Sequence, residues 1–318
     1  MSTIEPGTRV EQATQPGAVL PYAAKVTGVA VGDARGGFVR PLASTGLLHA
    51  SLVLLSLLMI LPFTWMVLTS LKPAGEVNEE NWIPSAFQWH NYRDVFDEDN
   101  PDPNQRGIDF GRFYRNSLFV AAWVTFLQVL TSSMAAFSFS RITWPGRDKV
   151  FLLYLSTMML PGLVMMIPNF EIMITFGLVD TFTGLILPAA FSAFGTFLLR
   201  QFMLTIPQSL DEAAEIDGAS KWRVFWDIIL PLARPGLITL TIFTFMGNYN
   251  SFFWPLVMLR SESKYPLPIG LMFFDSSRGQ STHLLMAAVT MSVVPMIVLF
   301  VFLQKYLVRG IQLGAVKG

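Results

Sequence analysis

Residues Ser209–Leu237 read SLDEAAEIDGASKWRVFWDIILPLARPGL, a charged and amphipathic segment between two long hydrophobic stretches. This segment stands out because charged residues make up only 14% of the whole chain. A chain that keeps such a segment between hydrophobic stretches is predicted to present it on one face to a soluble partner. The partner would hold the short helices of the segment in a groove.

The composition predicts an all-α membrane protein. The chain is 52% hydrophobic and 13% aromatic with a mean hydropathy of +0.48, whereas a soluble domain carries about 25% charged residues. Its apolar residues gather into six stretches, and about 20 residues suffice for a helix to cross a bilayer. The six predicted spans are approximately Leu47–Leu71, Phe113–Ser140, Val150–Phe170, Thr181–Met203, Gly236–Leu259 and His283–Val308.

The distribution of polar and charged residues predicts the domain organisation. Residues 1–46 are polar and rich in Gly, Pro, Ala and Thr, so we expect a disordered cytoplasmic tail before a membrane domain over residues 47–318. The segments that lie on the same side of the membrane as the N-terminus contain most of the Lys and Arg residues. Basic residues are more frequent in cytoplasmic segments, so both termini are predicted to be cytoplasmic. An acidic outer loop is then expected at 72–112, and the charged segment belongs to a cytoplasmic loop at 204–235.

Several classes of enzyme are excluded by missing motifs. The chain has no cysteine, and its three histidines are far apart in sequence, so neither a thiolate nucleophile nor a Cys or His metal site is predicted. A Gly-x-x-x-x-Gly-Lys-Ser/Thr phosphate loop is missing, because residues 32–37 lack both the spacing and the lysine. We therefore expect a chain that is not an enzyme, holds no cofactor of its own and binds no nucleic acid.

The charged segment predicts two short helices. Ser209 and Glu212 have the spacing of a capping box, which predicts that the Ser209 side chain caps the first helix. Gly218 suits the left-handed position that ends a helix. Ser220 is then expected to cap a second helix over Lys221–Leu230.

The first of these helices presents small and acidic residues together. Ala213, Ala214 and Gly218 would allow close approach by another protein, and Glu212 and Asp217 would pair with its charges. The alternative is that Glu212 only completes its helix cap, while the aromatic residues that follow lie at the membrane interface like those of any amphipathic helix. Residue types alone leave both interpretations open.

Particular sequence motifs resemble those of a known family. Glu212-Ala213-Ala214, followed by Gly218 and then by Ile229-Leu230-Pro231, is similar to the EAA motif of ABC importer permeases. Other fragments resemble the carbohydrate-uptake, maltose-type branch of binding-protein-dependent importers, and together they cover nearly everything after residue 46. These fragments are Ser70-Leu71-Lys72-Pro73, Asn91-Tyr92, Asn116-Ser117, the run Tyr249–Leu256, Arg309-Gly310 and Gly314–Gly318.

The resemblance implies a type I ABC importer permease fold in a bacterial inner membrane, with six transmembrane helices and a cytoplasmic coupling-helix loop. It implies a second permease subunit, usually a different chain, two ATPase subunits that hold ATP and Mg²⁺, and an extracytoplasmic solute-binding protein. It also implies that the ATPase docks on the helix containing Glu212, Ala213, Ala214, Asp217 and Gly218. ATP hydrolysis would then occur on the separate subunits.

The fifth span contains the candidate solute contacts Asn248, Tyr249, Asn250 and Trp254. Amides can bind hydroxyl groups, and aromatic faces can stack on a sugar ring. The alternative is that the aromatic residues lie at the membrane interface and that the amides hydrogen-bond neighbouring helices. Ser251 stands where the family commonly has an acidic residue, and Tyr249 where it commonly has Trp, which leaves the identity of the solute open.

The sequence therefore predicts a permease subunit for import of a sugar or sugar-like solute. A permease of the same superfamily that carries glycerol phosphate, an amino acid or another small solute is the alternative within transport. A membrane anchor or signalling protein that binds a cytoplasmic partner through Ser209–Leu237 is the alternative from another class.

Overall fold

The computed structural model describes residues 42–77, 79–96, 109–277 and 282–315, and all regular secondary structure within them is helical. Most of the predicted tail, residues 97–108 of the acidic outer loop and the last three residues lie outside the described residues. The first helix begins at Leu42, so residues 42–46 of the predicted tail are helical. The chain divides into two compact units, Met1–Leu58 and Met59–Gly318.

The elements of the described residues are helices, in keeping with the prediction of an all-α protein. They are α1 Leu42–Ser70, α2 Asn91–Asp94, α3 Phe110–Arg141, α4 Arg147–Ser156, α5 Gly162–Thr175, α6 Phe182–Ala189, α7 Ala193–Leu204, α8 Ser209–Ile216, α9 Lys221–Arg223, α10 Leu230–Leu232, α11 Arg234–Tyr249, α12 Phe253–Met258, α13 Leu267–Ser277 and α14 Thr282–Ala315. A π-helical stretch, Val224–Ile229, joins α9 to α10.

Three of the described helices are long and apolar enough to cross a membrane, and they lie in α1, α3 and α14. Three further spans are bent pairs of helices. The helix Arg147–Met159 meets α5 at 101°, α6 meets α7 at 42°, and the helix Lys221–Leu232 meets α11 at 76°. Up to six spans result when each bent pair counts as one, which is the predicted number, although the last pair begins at Lys221 within the predicted cytoplasmic loop and not at Gly236.

The third span was predicted as one continuous stretch over Val150–Phe170, but the structure divides it into two helices. Leu160 has the extended backbone (φ −79°, ψ 121°) that a residue before a proline prefers, and Pro161 then precedes the first residue of α5. The chain therefore turns sharply in the middle of the apolar stretch. The second helix of the pair continues to Thr175, so Glu171 lies inside α5 and not after the span.

The fifth span is also broken, because α11 ends at Tyr249 and the short α12 starts only at Phe253.

The predicted second helix of the charged segment, Lys221–Leu230, extends two residues further and passes through Pro231. The π-helical stretch directly precedes this proline, and local π geometry is one way in which helices accommodate the backbone groups that a proline leaves unpaired.

Helix α3 contributes to every core cluster of the described residues. Phe113 and Ala121 pack in the first cluster with parts of α11, α13 and α14. Val124 packs in the second cluster with α5, α6 and α12. Phe137 packs in the third cluster with α7 and the π-helical stretch. Helix α3 is therefore the common element against which α5, α6, α7, α11, α12, α13 and α14 pack.

A buried polar network organises the connection that follows α1. The Asn91 side chain is 2% exposed and donates to the carbonyl oxygens of Ser70 at 2.8 Å and Lys72 at 3.0 Å. The hydroxyl groups of Ser70 and Tyr92 are 2.7 Å apart. The Lys72 amine donates in turn to backbone carbonyls of the next turns. The Ser-Leu-Lys-Pro and Asn-Tyr fragments thus meet and satisfy the free carbonyls at the end of α1.

Replacing Asn91 by Ala should lower the stability of this region, since two buried carbonyls lose their donors at a cost of about 1–3 kcal/mol. The melting temperature of the purified protein in mild detergent measures the loss. Asn81→Ala is the matched control, because the exposed Asn81 side chain donates only to the nearby Glu79 carboxylate. Equal melting temperatures for the two variants would contradict the role given to Asn91.

Candidate functional site

A cavity of about 350 Å³ opens beside the first half of α3, between α5, α6, the end of α11 and α12. Two broken spans contribute to it, because α5 follows the sharp bend of the third span and α12 follows the break of the fifth. Its lining residues are Ser117, Val120, Gly162, Leu163, Met166, Asn169, Leu185, Pro188, Ala189, Asn248, Ser251, Phe253, Trp254, Pro255 and Pro266.

Two of the four predicted solute contacts, Asn248 and Trp254, line this cavity. The Asn248 amide nitrogen donates to the carbonyl oxygen of Thr244 at 2.8 Å, and its side-chain oxygen accepts no hydrogen bond from the described residues. The Trp254 ring nitrogen donates to the carbonyl oxygen of Gly184 at 3.2 Å, which fixes the ring in the cavity wall. Asn248 can therefore accept a hydrogen bond from a solute hydroxyl.

The other two predicted contacts, Tyr249 and Asn250, do not line the cavity. Tyr249 is 2% exposed, stacks on Phe245 with ring centroids 5.7 Å apart and donates to the carbonyl oxygen of Ser292 at 3.0 Å. The Asn250 amide donates to the carbonyl oxygen of Met246 at 3.0 Å. Consecutive positions of a helix point about 100° apart, so neighbours of Asn248 face other surroundings.

Besides Ser117 on α3, whose hydroxyl accepts a hydrogen bond from the Leu267 amide, two polar residues of the cavity were not predicted from the sequence, Asn169 on α5 and Ser251 in the break after α11. Neither side chain makes a hydrogen bond within the described residues. An uncharged amide inside a predicted apolar span was the available signal for Asn169. Ser251 was noted only for its departure from the family pattern, since its position in the wall depends on where α11 ends.

The described residues that line the cavity carry amide and hydroxyl groups, aromatic rings and apolar side chains, but no charged side chain. Solute sites commonly combine an apolar wall with a few polar groups that orient the ligand. This cavity can therefore hydrogen-bond a neutral hydroxylated molecule and stack against its apolar face, but it offers no cation to an anionic group.

The cavity wall that contains Trp254 depends on close packing of α6 at Gly184 against the Leu178 backbone and the Met258 side chain. A Cβ atom at Gly184 would lie 2.3 Å from the carbonyl oxygen of Leu178 and 2.5 Å from the Met258 side chain. Only a glycine permits α6 to pack this closely against its neighbours. The same approach brings the Gly184 carbonyl to the ring nitrogen of Trp254.

Asp180 lies in the connection before α6, and its carboxylate is hydrogen-bonded to the connection that follows α12. Its carboxylate accepts hydrogen bonds from the backbone amides of Arg260 and Ser261, both at 3.0 Å, and from the Ser261 hydroxyl and the Lys264 amine. The Ser261 hydroxyl, the two backbone amides and Lys264 hold the pKa of Asp180 well below its usual range. The ionised Asp180 carboxylate therefore stabilises the folded protein fully at pH values above its ordinary pKa of about 3.9. This contribution is lost as the pH falls toward the lowered pKa of the folded protein.

The predicted capping box of the charged segment is wrong. Gln208 precedes the first residue of α8 with helical backbone angles and makes no side-chain cap hydrogen bond. The amides of Asp211 and Glu212 donate to the Gln208 carbonyl oxygen, so the turn already begins at Pro207. Proline suits such a first turn because its φ is preset for a helix, and it leaves Ser209 inside the helix.

The end of α8 forms as predicted at Gly218. This glycine has a left-handed φ of 80°, its amide donates to the Glu215 carbonyl oxygen at 3.0 Å, and the Ala219 amide donates to that of Ala214 at 2.9 Å. These two bonds are a Schellman motif. The Ser220 hydroxyl then caps α9 as predicted, so the two helices are separated by a fixed turn.

The exposed surface of α8 contains most of the predicted docking residues. Glu212, Ala213, Asp217 and Gly218 are exposed, whereas Ala214 is half-buried against the third core cluster. The sequence interpretation missed Ile216, whose side chain is 87% exposed.

The fold and the cavity define a multi-pass membrane transport protein. Residues 128–313 match the family model described as binding-protein-dependent transport system inner membrane component. The chain belongs to this family, as its motifs predicted, and it is a permease of the ABC importer class in the inner membrane.

Individual relatives agree with this membership. The chain is 33% identical to the arabinooligosaccharides transport system permease protein of Halalkalibacterium halodurans, over 86% of this chain and 96% of that protein. It is 33% identical to an sn-glycerol-3-phosphate transport system permease protein of Yersinia pestis, over 72% of this chain and 81% of that protein.

A solved structure confirms the type I importer permease fold. It is the crystal structure of a bacterial ABC transporter involved in the import of the acidic polysaccharide alginate. One of its chains matches with a TM-score of 0.72 and 25% identity, over 84% of this chain and 98% of that chain.

Replacing Asp180 by Asn should loosen the wall of the cavity, because the neutral amide has one acceptor oxygen and no charge for Lys264. We expect a lower melting temperature in detergent at pH 7. Glu262→Gln is the control, since Glu262 is an exposed carboxylate in the same connection. A melting temperature equal to that of the control would contradict the role of Asp180.

Proposed function

We propose that this chain forms half of the translocation pathway of an ATP-driven importer for a sugar or sugar-like solute, and that it couples to a cytoplasmic ATPase through α8. The transport class follows from the family. The solute and the coupling are inferences, which rest on the cavity and on the exposed surface of α8.

The uncharged cavity is the observation that supports a sugar. Asn169, Asn248 and Ser251 offer hydrogen bonds to hydroxyl groups, and Trp254 offers an aromatic face. A phosphate is often held by Arg or Lys side chains, and the described lining residues include no cation. The relative whose name specifies arabinooligosaccharides is therefore a better guide to the solute than the relative whose name specifies glycerol phosphate.

The proposed complex contains more than this chain. Because the sequence lacks a phosphate loop, ATP and Mg²⁺ are assigned to two separate ATPase subunits. A second permease, a different chain, completes the pathway, and an extracytoplasmic binding protein delivers the solute. Membership of a binding-protein-dependent family supports the last of these partners.

The proposed orientation puts both termini and the loop 204–235 in the cytoplasm, with residues 1–46 as a tail and 47–318 as the permease domain. Its basis is the bias of Lys and Arg toward these segments. The docking surface of α8 is then assigned to Glu212, Ala213, Ala214, Asp217 and Gly218, together with Ile216. The resemblance of Glu212, Ala213, Ala214 and Gly218 to the EAA motif is the reason to expect a partner on this surface.

Replacing Asn248 by Ala should raise the apparent KM for a neutral oligosaccharide about 3- to 10-fold, because one hydrogen bond contributes about 0.5–1.5 kcal/mol. Uptake into liposomes that contain the purified complex measures this change. Asn250→Ala is the matched control, two residues away and outside the cavity, and it should transport like the wild type. Transport of glycerol phosphate but of no neutral sugar would contradict the proposed solute.

Replacing Ile216 by Ser or Glu212 by Lys should reduce recovery of the ATPase with the tagged chain at least tenfold, because each change removes complementarity at the docking surface. Glu262→Lys, a charge reversal on an exposed carboxylate far along the chain, is the control and should leave recovery unchanged. Normal membrane levels of all three variants are required. Undiminished ATPase recovery with both α8 variants would refute docking through this helix.

A further inference from the structure

One buried guanidinium connects three separate elements near the end of α3. The Arg141 side chain is 3% exposed and lies 3.1 Å from the Asp211 carboxylate in the first turn of α8. It also donates to the carbonyl oxygen of Met203 at the end of α7 and, at 2.7 Å, to that of Ile206 before α8. The ends of α3 and α7 and the start of α8 are thus tied by a single side chain.

This arrangement connects the docking helix to the cavity through α3. Ser117 and Val120, near the beginning of α3, line the cavity, and Arg141 is its last residue. The helix is continuous, so about 36 Å of rigid helix separates Ser117 from Arg141 at 1.5 Å per residue. A displacement at Arg141 therefore reaches the cavity wall without crossing a break in this helix.

The pairing is not the most stable arrangement that these two groups could adopt. Arg141 Nε and Asp211 Oδ1 are both buried and without a hydrogen-bond partner among the described residues. An arginine and a carboxylate often form two parallel hydrogen bonds, but here only one is made. Burial also raises the pKa of Asp211, against the opposing charges of Arg141 and Lys221. A buried ion pair is weak evidence for a contribution to stability, so a role of this pair in positioning α8 has to be tested separately from stability.

Helix α8 has few other attachments to the spans. Its acidic and apolar face is exposed, and Ala214 is its half-buried contact with the third core cluster. A cavity of about 220 Å³ lies between Arg141, Asp211 and Glu212, which leaves room for the pair to adjust. The guanidinium therefore supplies a side-chain link between α8 and the end of α3, in addition to the short chain segment 205–208 that joins α7 to α8.

We propose that Arg141 is the positioning residue through which movement of α8 reaches α3 and α7, and hence the solute cavity. The inference rests on the proposed docking of an ATPase on α8, but the link itself is a property of this chain. Arg141 contacts neither solute nor nucleotide. Its loss should leave the ATPase bound and active while transport no longer follows hydrolysis.

The first test measures the ratio of solute transported to ATP hydrolysed by the complete complex in liposomes. Arg141→Met should lower this ratio at least tenfold, with ATPase recovery unchanged. Arg141→Lys keeps the positive charge, but the lysine amine cannot bond the Asp211 carboxylate and both carbonyl oxygens as the guanidinium does. This variant should therefore lower the ratio less than Arg141→Met. Arg147→Met is the matched control, because Arg147 is the first residue of the next helix, α4, and pairs with its neighbour Asp148. A wild-type ratio in both Arg141 variants would overturn the inference.

A second variant separates a link from a general structural effect. Asp211→Asn removes the charge that Arg141 meets on α8. If the two residues act through each other, the double variant Arg141→Met with Asp211→Asn should have a ratio no lower than that of Arg141→Met alone. Fully additive losses would show that the two residues act separately and would overturn the inference.

The third test measures the link directly, and the absence of native cysteines makes it practical. Spin labels at Ser209→Cys on α8 and Arg115→Cys on α3, both exposed positions, report the distance between the two helices in the full chain. The distance distribution should be narrow with native Arg141 and broader with Arg141→Met, without any ATPase present. Identical distributions would overturn the inference.

The outcomes distinguish this inference from the proposed function. Unchanged ATPase recovery with Ile216→Ser and Glu212→Lys refutes docking on α8, whereas the label distances still test the link. Unchanged distances and an unchanged transport ratio refute the role of Arg141, whereas docking on α8 stands.

Discussion

The packing of the later helices, α5 to α7 and α11 to α14, against α3 is the constraint on which the core depends. This helix has 32 residues and is about 48 Å long at 1.5 Å per residue, and it is the element that all three core clusters share. Within a bilayer a helix satisfies its own backbone groups. An unbroken α3 therefore provides a fixed axis, and the breaks that create a cavity occur in its neighbours.

Those breaks have identifiable causes and a common consequence. Pro161 follows an extended residue, so the third span turns by about a right angle. The fifth span stops at Tyr249 and resumes as α12. Irregular backbone at membrane depth is tolerated where it is buried in protein or lines a cavity. Here the interrupted segments bring Asn169, Ser251 and Trp254 to one cavity, which a bundle of straight helices would not do.

The two ends of α3 serve different purposes. Near its beginning, Ser117 lies in the cavity wall and accepts a hydrogen bond from the Leu267 amide at 2.7 Å. At its end, Arg141 contacts the helix that carries the exposed Ile216. The same helix thus contacts both the proposed solute cavity and the proposed docking helix. This connection gives a physical basis for coupling, because neither site has to deform the core to affect the other.

The sequence by itself determined the class of fold, the six apolar stretches and the local signals at Gly218 and Ser220, because each depends on residues close together in the chain. The motif around Glu212 likewise identified the family without a structure. Only the tertiary structure decided which polar side chains face the cavity, since Asn248 lines it while Tyr249 is buried in a core cluster. It also decided that Arg141 meets Asp211, a residue 70 positions away. Such contacts depend on where helices bend and how they pack, and no local pattern of residues records that geometry.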